Sequence, residues 1–113
     1  MTTTLPPFLP GEAHTVLAPD HALVWLGGDV DTGLAGDLSR IADQLKLVGL
    51  PTVVDLTAVG FADSALMNFL ARLARQGQVT LCNPSQGVRN LMTVSGLDSK
   101  MFVVEAPDSE RPA

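Results

Sequence analysis

The chain has 113 residues, enough for one compact domain and too few for two full cores. With 46% hydrophobic residues and a mean hydropathy of +0.27, wholesale disorder is excluded. Seven Lys and Arg against twelve Asp and Glu leave a net charge of −5, whose field repels phosphodiester backbones and anionic lipid, so nucleic acid is a poor partner. No run approaches the ~20 apolar residues of a membrane span, so no direct membrane insertion is expected. The single cysteine, Cys82, rules out an internal disulfide framework and a cysteine-rich metal site, and points to a reducing, cytoplasmic location.

Residues 1–12 read as a flexible tail: they hold Thr2, Thr3, Thr4 and three prolines, with no positive region of the kind that opens a signal peptide. Residues 106–113 have no periodic pattern and read as a second tail, leaving residues 13–105 as the domain. Within it, β-rich runs alternate with helical patterns, which predicts an α/β layer structure of five strands and three helices. Runs at 14–17 and 22–27 are joined by Ala18-Pro19-Asp20-His21, too short for a crossover helix, so they should pair as an antiparallel hairpin. Trp25 lies in the second run and should be core. Gly27 and Gly28 then break the strand. Leu34, Leu38, Ile41, Leu45 and Val48 recur at helical spacing and define the longest helix, stopped by Gly49 and Pro51.

Residues 52–56, Thr-Val-Val-Asp-Leu, form a short β-branched run of the kind found at the centre of a largely parallel sheet. A second helix is expected over 63–76, with Leu66, Phe69, Leu70 and Leu73 inward and Ser64, Asn68, Arg72 and Arg75 on the other face. Residues 79–82 read as a buried strand. Asn83, Pro84 and Ser85 open a third helix with Val88, Leu91 and Met92 inward, ended by Gly96, and residues 101–105 give the last strand.

The informative stretch runs from Val53 to Met67, where a buried strand ends in Asp55 and a helix begins at Asp63-Ser64. Asp63 can accept from the unpaired amides of the first turn, which sets the Ser64 hydroxyl on the polar side of the helix. The local pattern alone favours a plain helix cap at Asp63 and Ser64. Met67, on the same helix, either forms part of an exposed apolar docking patch or completes the core.

Four landmarks fall in order across about residues 22–105: Gly28-Asp29-Val30-Asp31, Asp55-Leu56-Thr57, Asp63-Ser64, and Val94-Ser95-Gly96-Leu97. Their order and spacing resemble the STAS domain of bacterial anti-sigma factor antagonists, the family of the sporulation and general-stress regulators. The resemblance implies a single STAS-like domain with a mixed, mostly parallel sheet, an N-terminal antiparallel hairpin and helices packed on the sheet. It also implies a binding module, not an enzyme, that docks on an anti-sigma factor which is itself a serine kinase using ATP. Phosphorylation of the serine after the conserved aspartate, here Ser64 after Asp63, would break the complex, and a phosphatase would restore it. Carried over by position, Ser64 and Asp63 match the serine and the aspartate before it, and Asp29 and Asp55 match acidic positions of relatives; Met67 and Asn68, on the same helix, complete the expected partner-binding set, with no cofactor and no metal. One departure stands out: relatives with a strong phosphoacceptor follow Asp-Ser with Ser or Thr and then Gly, whereas Ala65 and Leu66 follow here. STAS-like domains also serve as subunits of stress-signalling and lipid-transport assemblies and as appendages of anion transporters, so a docking subunit without phosphorylation is the alternative.

Other chemistries find little support. Asp55-Leu56-Thr57 after a strand has a faint likeness to aspartyl-phosphate hydrolases, but Lys46 and Lys100 are the only lysines and neither lies in a motif. Ser64 has no Gly-x-Ser-x-Gly elbow, and both histidines, His14 and His21, belong to the first hairpin. A metal site from His14, His21 and Cys82 would need three distant positions to converge, and Cys82 reads as an inert buried thiol.

Overall fold

The apolar alternation at the start of the chain folds as the expected hairpin in the computed structural model, which describes residues 10–105. Strands β1 (Glu12–Leu17) and β2 (Ala22–Val30) pair antiparallel from Leu17 opposite Ala22 to Glu12 opposite Gly27. Their turn is closed by Ala18 N–H donating to the His21 carbonyl at 2.9 Å. After a 3-10 turn at Thr32–Leu34 the chain alternates: α1 (Ala35–Val48), β3 (Thr52–Ala62), α2 (Ser64–Gln76), β4 (Val79–Cys82), α3 (Gln86–Ser95) and β5 (Phe102–Val104). The sheet order is β1-β2-β3-β4-β5, and every pairing after the hairpin is parallel.

Each parallel step moves one strand further in the same direction, so right-handed crossovers set all three helices on one face. Burial follows that geometry. Val24, Leu26, Val54 and Leu81 are at most 1% exposed, as are Leu56 and Val79, and all join the inward residues of the helices in one cluster. Those residues are Leu38, Ile41 and Leu45 from α1, Leu66, Phe69, Leu70 and Leu73 from α2, and Val88 and Met92 from α3. Removing a side chain such as Leu66 or Leu70 from water contributes about 1.5–3 kcal/mol each. The helix ends agree with their sequence signals: Gly49 (φ 71°) and Gly96 (φ 73°) close α1 and α3 in the left-handed conformation, and Ser85 caps α3 by accepting from Val88 N–H at 3.2 Å.

Two expectations are corrected. Gly27 and Gly28 do not end the second strand. The chain passes through them with register shifts between Trp25 and Gly27 and between Gly28 and Asp29, with Gly28 at φ 70°, and β2 pairs on as far as Val30. Glycine here permits a bulge where a stop was expected. The third strand does not end at Leu56. It runs to Ala62 because Ala58, Val59, Phe61 and Ala62 find backbone partners on the extended β2. Trp25 is buried as expected, at 7% exposure, on the face of the sheet away from the main cluster. Of the two tails, residues 1–9 and 106–113 lie outside the described residues, and Glu12 already belongs to β1.

Candidate functional site

The C-terminal ends of β2 and β3 rise together past the rest of the sheet. β4 stops at Cys82, opposite Asp55, so among the described residues the final part of β3 has β2 on one side and no strand on the other. Asp29 pairs with Phe61 and Val30 with Ala62, and Asp63 N–H then donates to the Val30 carbonyl at 3.3 Å, locking the start of α2 to the end of β2. This crossing brings Asp29 and Asp63 to one edge with Ser64.

Asp63 is the N-cap of α2. Its backbone is extended (φ −129°, ψ −157°) and its Oδ1 accepts from Ala65 N–H at 2.8 Å. One of the orphan amides of the first turn is thereby satisfied, and Ser64 becomes the first helical residue, with an exposed side chain. Asn68, one turn further along, is exposed as well. The two residues that depart from the family pattern point inward: Ala65 is 8% and Leu66 0% exposed, so this chain uses the position of the usual glycine for a core leucine.

Asp55 stands elsewhere. It pairs with Trp25, whereas Ala62, next to Asp63, pairs with Val30, so five residues of β2, about 16 Å of strand, separate the two positions. Its Oδ1 accepts from Thr57 N–H at 3.0 Å and from Thr57 Oγ1 at 2.7 Å, and Asn83 Nδ2 donates to Thr57 Oγ1 at 2.8 Å. Asp55 therefore belongs to a polar network joining β3 to the end of β4, where Asn83 sits at φ 55°. Burial pushes the neighbouring Cys82 thiol above its ordinary range and the Asp55 carboxylate adds to the shift, since a thiolate there would meet both desolvation and like charge. Asp31 caps the 3-10 turn by accepting from Gly33 N–H at 2.9 Å. It stands one residue past Val30, and its signal was the second acidic residue of Gly28-Asp29-Val30-Asp31.

Met67 is corrected: at 6% exposure it packs in the core and takes no part in a docking surface. The apolar side chain that is open is Phe61, 53% exposed, two residues before Asp63. Sequence reading misses it because residues 57–62 carry no strand signal of their own. Two depressions flank the Ser64 turn. A cleft of about 170 Å³ lies between β3 and the start of α3, lined by Val59, Phe61, Ala62, Ser85, Val88 and Leu91 among others. A groove of about 190 Å³ runs between α1 and α2, bordered by Ala35, Ser39, Ala42, Ala65, Asn68 and Arg72 among others. Arg72 spans that groove, pairing with Asp43 and donating to Ser39 Oγ at 3.4 Å.

Among the described residues, no cluster of His, Cys, Asp or Glu has the arrangement of a metal site, and no helix is long and apolar enough to cross a membrane. The arrangement instead offers an accessible hydroxyl at a helix N-terminus, where backbone amides and the helix dipole accommodate an anion without unfolding the turn.

Comparison with known proteins follows the same lines. No curated protein sequence matches the chain. The structure of the anti-sigma factor antagonist SpoIIAA in its unphosphorylated form superposes with a TM-score of 0.68 at 18% identity, over 82% of this chain and 88% of that one. The crystal structure of an anti-sigma factor antagonist from Mycobacterium paratuberculosis gives 0.72 at 20% identity, over 88% and 87%. The Bacillus cell fate determinant SpoIIAA in its phosphorylated form gives 0.62 at 18% identity, over 82% and 91%. At these identities the likeness is one of fold. The family model described as "Mlab, STAS domain" matches residues 13–105, all five strands but for Glu12 and all three helices, and on that match the chain belongs to the STAS-domain family.

Proposed function

We propose that this STAS domain is an anti-sigma factor antagonist: a cytoplasmic docking module, without catalysis or cofactor of its own, that binds an anti-sigma factor with serine kinase activity and so regulates sigma-factor-dependent transcription, as in a stress response. Phosphorylation of Ser64 by that kinase, using ATP, releases the complex and a phosphatase restores it. The observation that carries the reading is the exposed Ser64 side chain at the first position of α2, with Asp63 committed to the cap beside it. Asp29, Asp63, Ser64 and Asn68 form the docking edge, and Phe61 supplies an apolar anchor. Asp55 acts at one remove, by holding the β3–β4 network on which the cleft rests.

The chemistry suits a switch. A phosphate at Ser64 adds about −1.5 to −2 charges where a helix dipole welcomes an anion, so the fold survives. A partner packed closely over the small hydroxyl then meets the bulk of a phosphate and must desolvate its charge. A coupling of about 3 kcal/mol weakens binding more than a hundredfold. The test is calorimetric titration of the purified anti-sigma kinase into the native chain, Ser64→Ala and Ser64→Glu, with mass spectrometry of the native chain after incubation with the kinase and ATP. Binding by native and Ser64→Ala chains, its loss in Ser64→Glu, and one phosphate on Ser64 are expected. Equal affinity for all three removes the switch.

A second reading is a STAS subunit of a stress-signalling or lipid-transport assembly that docks without modification. It is favoured by the inward Ala65 and Leu66, which replace the second hydroxyl and the glycine of strong phosphoacceptor turns. An assembly that persists with Ser64→Glu would select it.

A further inference from the structure

Beyond Asp55 the third strand keeps one bare edge. β4 leaves the sheet at Cys82 and Asn83, at φ 55°, turns the chain toward α3, so among the described residues the backbone of 58–62 pairs with β2 alone. The bare stretch begins just past Thr57, whose N–H already donates to the Asp55 carboxylate. A strand edge presents a row of unpaired N–H and C=O groups, which proteins commonly guard with a charge or a proline. Ala58, Val59, Gly60, Phe61 and Ala62 supply neither. Gly60 is the extra residue at the register shift between Gly28 and Asp29, and with no side chain it leaves room for a second backbone to approach.

Two further features define what fits along this edge. The cleft of about 170 Å³ runs beside it, with Val59, Phe61 and Ala62 on one side and Val88 and Leu91 on the other, and no charged residue lines it. It is a seat for an apolar side chain. Asp29, half-buried on β2, holds a carboxylate oxygen 4.0 Å from the point where a Cβ of Gly60 would stand. Among the described residues that carboxylate makes no ion pair and no hydrogen bond. A cation reaching across Gly60 would complement it.

We propose, on the reading that this end of the sheet is the docking edge, that the partner enters as an extended segment. It pairs its backbone with residues 58–62 in the lane that β4 leaves at Cys82, seats an apolar side chain in the cleft, and sets a Lys or Arg against Asp29. Main-chain bonds then supply the affinity, while the cleft and Asp29 select the sequence. Ala62 is two residues from Ser64, so a strand laid there ends beside the switch residue.

The probe is the heptapeptide acetyl-Ser-Lys-Val-Leu-Val-Lys-Ser-amide, titrated into the isotope-labelled full-length chain and followed by amide shifts and amide exchange. Saturable binding with a Kd at or below about 1 mM is expected. Shifts and slowed exchange should fall on the amides of 58–62, with shifts at the start of α3. The same peptide N-methylated at alternate residues keeps its side chains and loses the strand bonds, so it should bind about tenfold more weakly or worse. Asp29→Asn should weaken the unmethylated peptide by about two- to fivefold, and a peptide with Glu in place of Lys should bind more weakly to the native chain. No saturable binding, equal binding of the N-methylated peptide, or shifts confined to other elements overturns the proposal. Exchange already slow at every amide of 58–62 in the free chain would mean that the protein closes this edge itself, and overturns it equally. Repeating the titration with the purified anti-sigma kinase separates the two readings. A kinase that binds and leaves the amides of 58–62 unmoved overturns strand addition and keeps the kinase as partner; peptide binding without kinase binding supports strand addition and removes the kinase.

Discussion

The opposite roles assigned to two adjacent residues can be separated by unfolding alone. Asp63 holds the first turn of α2 through its bond to Ala65 N–H at 2.8 Å, and its charge faces the positive end of the helix dipole. Asp63→Ala therefore removes a cap worth about 1 kcal/mol and a dipole interaction of about 0.3–1 kcal/mol. At roughly 4–8 °C per kcal/mol for a domain of this size, the melting temperature should fall by about 5–15 °C. Ser64→Glu adds an anion at the next position, where the same dipole favours it by about 0.3–1 kcal/mol, so the melting temperature should hold or rise by a few degrees. That gain should shrink as salt is raised from about 0.01 to 0.15 M, because the site is solvent-exposed. Circular-dichroism melts of both variants at pH 7 and two ionic strengths make the measurement. A loss in Ser64→Glu equal to that in Asp63→Ala would mean that the hydroxyl is a structural part of the turn, and the case for a modification that spares the fold would fail.

Other consequences are as direct. Gly11→Ala sets a Cβ 2.2 Å from the Asp29 carbonyl oxygen, so denaturant unfolding should show a loss of about 1–3 kcal/mol, with amide shifts at Asp29 and Phe61 from the displaced strand. Leu66→Ala empties a 0% exposed site and should cost about 2–5 kcal/mol by urea titration; a cost below about 1 kcal/mol would contradict the close packing of α2 against the sheet. The Cys82 thiol is held protonated chiefly by burial and secondarily by Asp55. Its alkylation by iodoacetamide at pH 8 should be slower than that of a free thiol, and Asp55→Asn should speed it modestly. The same raised pKa sets the sign of linkage: stability from the neutral thiol is present below the unfolded pKa and declines as pH rises through the folded one, above 9.0. Asn83→Val, at φ 55°, should destabilise by about 1–2 kcal/mol in thermal melts, while Asn83→Gly should lose less.

The helices and the hairpin were legible in the chain because their signals are local. Leu66, Phe69, Leu70 and Leu73 repeat at helical spacing, Gly49 and Gly96 stand at left-handed stops, and Asp63 and Ser85 occupy cap positions, all settled within a few residues of sequence. The charge balance and the position of Ser64 at the head of α2 were legible for the same reason. What only the tertiary structure decided were the properties that depend on a distant partner. Residues 57–62 look like a loop and become strand because β2 continues through its glycines and offers backbone groups to pair with. Met67 and Asn68 are neighbours on one helix, yet one is buried and the other exposed, because the helix packs on a sheet whose position the local sequence does not encode. The start of α2 meets the end of β2 for the same reason: Asp63 N–H reaches the Val30 carbonyl only because β2 and β3 run on together past the rest of the sheet. Local spacing determines which face a residue takes on its own element; which elements meet, and which carboxylates therefore share an edge, is set by long-range strand pairing.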